Sequence, residues 1–152
     1  MGAVGISPWL LYATGLSDAY SGFFHSSMLM LVYMNCFIIG FLMTFIPRFT
    51  ETCYASKAEV FSFLFVFIGM ALFLLRGEWA VAQMLYLAWL VLLVIFMMRR
   101  ASHRQNTGGT PPVELIWIPV AVLHAFIGTS ILLLVEWQVV PGAMSEIGRP
   151  MM

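Results

Sequence analysis

The sequence predicts an all-α protein, a polytopic bundle of about four transmembrane helices forming one domain over residues 1–152. Three observations carry that expectation. Of the 152 residues, 62% are hydrophobic and only 9% charged, against about 25% charged in a typical soluble protein. A chain of this size cannot hide so much apolar surface in its own core, so lipid must be its solvent. Long apolar runs are separated by short segments that hold the Arg and Lys residues. Each run approaches the roughly 20 apolar residues that a helix needs to cross a ~30 Å hydrocarbon core.

The opening segment, Met1 to Ser17, holds an apolar stretch from Pro8 to Leu16 that is too short to cross. It reads as an interfacial or truncated element, with Trp9 and Tyr12 suited to headgroup depth. The first span lies in the uncharged run from Ala19 to Pro47, approximately His25 to Ile46. The second covers Val60 to Leu75 and extends through Ala58 and Glu59 at the interface. A turn at Arg76-Gly77-Glu78 leads into the third, Trp79 to Met98. A polar loop from Arg99 to Pro112 follows, then a fourth span from Val113 to Trp137. Thr110 is placed to cap that last helix, a proline fits its first position, and Glu114 lies in the first turn, where the helix dipole favours an anion.

Charge sets orientation and removes some functions. Seven basic residues balance seven acidic ones, so the chain has no basic surface for nucleic acid. Arg48, Lys57, Arg99, Arg100 and Arg104 fall in the first and third loops, with Arg76 and Arg149 opposite. That bias puts the first and third loops in the cytoplasm and both termini outside. No Lys or Arg precedes Arg48, so a cleavable signal peptide is not expected. The two cysteines, Cys36 and Cys53, have neither metal-type spacing nor matched settings for a disulfide.

Ionisable groups at membrane depth are costly and therefore candidates for function. His124 falls near the middle of the fourth span and His25 opens the first, while His103 belongs to the Arg-rich loop. Burial favours neutral imidazole, the form that can ligate heme iron or another metal. Trp117, Ala121, His124 and Gly128 share one helical face, and Pro119 permits a kink close by. Ligation and donation to a neighbouring helix backbone both remain open for His124. In the first span Cys36, Gly40 and Thr44 make a small-residue stripe suited to helix packing or self-association, and Asn35 needs a hydrogen-bond partner. His25 and His124 differ in depth by roughly 10–15 Å, which favours two sites over one. The twelve methionines fall mostly within apolar runs, where gap-filling explains them. No nucleophile elbow, phosphate loop, HExxH or carboxylate pair is present, so catalysis by this chain alone is not expected.

His25-Ser26-Ser27-Met28-Leu29, followed by Gly40-Phe41-Leu42-Met43-Thr44-Phe45-Ile46-Pro47-Arg48-Phe49-Thr50, resembles the NnrS family. These are polytopic bacterial membrane proteins associated with heme, copper and the response to nitric oxide. Leu123-His124 is similar to a later family histidine. The family element reads His-x-His-Glu, whereas Ser27 and Met28 stand at its last two places here, and family members carry many more helices. The resemblance implies a multi-pass protein of the bacterial inner membrane with heme or copper held by His124 and His25. The alternatives are a non-catalytic helical subunit of a larger membrane complex and, more weakly, a transporter fragment. The lipid bilayer is the one partner all three readings share.

Overall fold

The computed structural model describes residues 2–16, 22–102 and 117–139. Those residues are helical, with short turns and one extended linker and no strand. The helices are α1 (Gly2–Ala13), α2 (Gly22–Ser27), a π-helical segment (Met28–Met34), α3 (Asn35–Thr50), α4 (Lys57–Leu75), α5 (Trp79–Ser102) and α6 (Trp117–Glu136). Four stretches are long and apolar enough to cross a membrane: Phe24–Thr50, Lys57–Leu75, Trp79–Ser102 and Trp117–Glu136. Helix α1, with 12 residues, rises only about 18 Å and cannot cross. It ends where Gly15 takes a positive φ of 71° and the Leu16 N–H returns to the Leu11 carbonyl, a C-terminal cap that glycine makes inexpensive.

Helix α5 is the centre of the bundle. It packs against α4, α6 and α3, while the π segment lies against α4. The small side chain of Ala82 and the flexible one of Met70 are both 0% exposed, and Gly77, with φ 76°, makes the tight α4–α5 turn. Trp89 anchors the middle, stacked on Tyr86 at 5.7 Å and met edge-on by Phe63 at 6.2 Å. Such offset and T-shaped ring pairs add directional preference to burial. Outward faces are strongly apolar: Phe65 is 78% exposed, Phe37 72% and Phe61 66%. In water these rings would be a liability; against acyl chains they are the solvent-matched surface.

Two boundaries differ from the sequence expectation. The first span continues past Ile46 through Pro47 to Thr50, because the proline needs no N–H partner of its own and Thr50 bonds the Ile46 carbonyl at 2.8 Å. Arg99 and Arg100, expected in the polar loop, instead extend α5 to Ser102. Arg100 stays helical because it is held by groups on the neighbouring hairpin arm, described below. Thr110, Glu114, His103, Arg104 and Arg149 lie outside the described residues.

Candidate functional site

The two candidate ligands sit apart and in different settings. His124 lies in the first half of α6, at membrane depth, and faces out of the described bundle. Its Nδ1 is 2.8 Å from the Val120 carbonyl oxygen one turn earlier. A carbonyl only accepts, so Nδ1 carries the proton, and in the neutral ring Nε2 keeps its lone pair. Backbone thereby fixes the tautomer and ring direction, which is how ligating imidazoles are commonly prepared. The shared face inferred from the sequence is only partly a contact face. Trp117, Ala121 and His124 are exposed, whereas Gly128 is buried where α6 packs inward beside Ala125 and Thr129.

His25 is half-buried in α2, beside Phe24, whose ring meets Trp79 edge-on at 6.4 Å. It opens the first span at the end where α5 begins, while α6 starts at the opposite end of the up-and-down bundle. No group of three or more His, Cys, Asp or Glu converges among the described residues. A copper centre with several such ligands therefore does not fit them. A single axial position on heme iron requires one imidazole, and His124 fits that requirement. An apolar groove of about 750 Å³ between α3, α5 and α6 is lined by Leu123 and Phe126 but not by His124, so imidazole and groove face different directions.

The methionines divide by environment. Met28 and Met70 are buried core, Met30, Met34, Met84 and Met98 face outward, and Met43 and Met97 are intermediate. The stripe Cys36, Gly40 and Thr44 is exposed, with open space where a Gly40 Cβ would project. It forms no contact face within the described bundle. The motif Gly40 to Thr50 builds the end of α3. Thr44 bonds the Phe41 carbonyl at 2.8 Å, Phe41, Phe45 and Phe49 stack in sequence, and Glu51 caps the helix with φ 53°.

Two polar clusters were not legible as clusters in the sequence. Asn35, 8% exposed, donates its amide to the Met30 carbonyl at 2.7 Å and to Leu31 at 3.4 Å. Sequence showed that Asn35 required a partner but not that its own span supplied it. At the membrane edge Glu59 receives both terminal nitrogens of Arg100, one of them at 2.7 Å. Arg100 also reaches the Tyr54 carbonyl at 3.3 Å and lies over the Phe96 ring. Arg99 is 3.6 Å from the same carboxylate. The Ser56–Glu59 capping box is complete: Glu59 accepts from the Ser56 N–H at 2.8 Å, and the Glu59 N–H donates to the Ser56 hydroxyl at 3.3 Å. The S-x-x-E spacing announces the cap; nothing local announces an arginine 41 positions away.

Four apolar helices of this length, irregular only where side chains or packing satisfy the backbone, define a multi-pass integral membrane protein. The chain belongs to the NnrS family: the family model described as NnrS protein matches residues 1–149. No curated protein and no solved structure matches it.

Proposed function

We propose that this chain forms a four-span unit of an NnrS-type protein of the bacterial inner membrane, holding heme through His124 and serving in the handling of nitric oxide stress. The observation that carries the proposal is the contact of His124 Nδ1 with the Val120 carbonyl on an outward-facing side chain, which in the neutral ring leaves Nε2 as the donor atom. Bound heme iron supplies a coordination position for a diatomic ligand; the protein supplies the imidazole and the apolar, water-poor surroundings. His25 would belong to a second heme position near the opposite surface. The end of the bundle that carries Arg48, Lys57, Arg99 and Arg100 faces the cytoplasm in this reading, following the bias of basic residues. Oxidised and reduced visible spectra of detergent-purified protein, with copper analysis, test it. A Soret band lost in His124→Ala supports the assignment. A band unchanged in that variant, or neither heme nor copper after expression with both supplied, overturns it.

A second reading is a helical subunit of a larger membrane complex. The outward stripe Cys36, Gly40 and Thr44, with open space above Gly40, favours it, because small residues admit a second helix closely. Crosslinking in native membranes that returns monomers only would rule against it.

A further inference from the structure

The first span is not one continuous α-helix. Between His25 and the family-like motif, Met28–Met34 is wound as π-helix, with i→i+5 hydrogen bonding. That winding accommodates one more residue than the α-helix it interrupts. Each residue is worth about 100° of rotation and about 1.5 Å of rise. The segment therefore sets the rotational phase of everything before it, Phe24 and His25 included, relative to α3.

A π turn inside lipid needs a reason to persist, since the α form satisfies the same backbone groups with better geometry. Asn35 provides one. Its backbone N–H goes to the Val32 carbonyl, and its side-chain amide supplies a donor to the Met30 carbonyl at 2.7 Å. Asn35 is 8% exposed, so that amide has no water to turn to. Relaxation to α-helix would take the Asn35 amide from the Met30 carbonyl or Phe24 from Trp79, because both contacts cannot survive a change of phase of about 100°.

We infer that Asn35, through its bond to the Met30 carbonyl, is a positioning residue: it locks the π register of Met28–Met34 and so determines which face of the first span presents His25. This deepens the proposed function at one point only, the assignment of His25 as a ligand. The register itself is measurable without any cofactor.

The test uses full-length protein in which Cys36 and Cys53 are replaced by serine and cysteines are placed at Phe24 and Trp79. A short bismaleimide joins that pair when the native phase is present. Asn35→Leu should reduce crosslinking at least tenfold. Deleting Met30, whose side chain is outward-facing, removes the extra residue. Added to Asn35→Leu, it should restore crosslinking to within twofold, because an α-helix one residue shorter returns Phe24 to its phase. An unchanged yield in Asn35→Leu overturns the inference. So does failure of the Met30 deletion to restore crosslinking in protein that elutes as a single folded species. Heme and copper content are read in parallel. Crosslinking that follows the scheme while metal content ignores both Asn35→Leu and His25→Ala keeps the register inference and removes His25 as a ligand.

Discussion

Removing the carboxylate of Glu59 should be the most damaging single change at its edge of the bundle. Arg100 is 7% exposed, and Glu59 is its only anionic partner among the described residues. Glu59→Ala would leave a buried guanidinium with the Tyr54 carbonyl and the Phe96 ring alone. Breaking a buried pair from one side costs about 3–5 kcal/mol. Here the pair borders an open polar pocket of about 480 Å³, so headgroups and water soften the loss and the lower end, about 3 kcal/mol, applies. Loss of the capping box adds about 1 kcal/mol. Arg100→Ala should cost less, about 2 kcal/mol, because Glu59 keeps Ser56 and can recruit Arg99 from 3.6 Å. Replacing both residues by leucine should recover most of the deficit, leaving mainly the cap, since a well-packed apolar pair substitutes for a buried ion pair at little net cost. Unfolding in mixed micelles of increasing SDS fraction, followed by tryptophan fluorescence, gives all three values and their coupling. A coupling energy below about 0.5 kcal/mol, or additive single losses, would refute the reasoning.

Met70→Ala should cost about 2–5 kcal/mol in the same assay, because Met70 is 0% exposed between α4 and α5. Met84→Ala, at a side chain that is 41% exposed to lipid, should leave the midpoint nearly unchanged. A membrane-impermeant maleimide should label Cys53 in inside-out vesicles but not in intact spheroplasts. Cys36, facing outward at membrane depth, should resist it in both; the reverse pattern at Cys53 would invert the orientation.

The helices were legible because lipid imposes a coarse rule: long apolar runs, few charges, turns where Gly, Pro and Arg gather. The same rule hides what happens inside a run. Met28-Leu29-Met30-Leu31-Val32-Tyr33-Met34 reads as ordinary apolar helix, and its π winding goes with a side-chain bond from Asn35 to the Met30 carbonyl that no periodicity announces. Arg99 and Arg100 look like loop residues by charge. Their place in α5 follows from long stems that lie along apolar surface while the heads find a carboxylate. His124 was visible as an oddity at membrane depth, but its outward direction was not. That direction depends on which side of α6 packs against α5, and α6 is apolar on all sides, so sequence periodicity gives it no preferred face.

The Glu59 cluster also bears on how the chain enters the bilayer. Synthesis delivers Ser56 and Glu59 together, and their mutual bonds occupy the carboxylate at once. Arg100 emerges only after both arms of the α4–α5 hairpin have been made. Glu59 thus begins with a local partner that it keeps and gains Arg100 when the second arm arrives, so the docking of the two arms is completed by a charge that the first arm has kept waiting at the membrane edge.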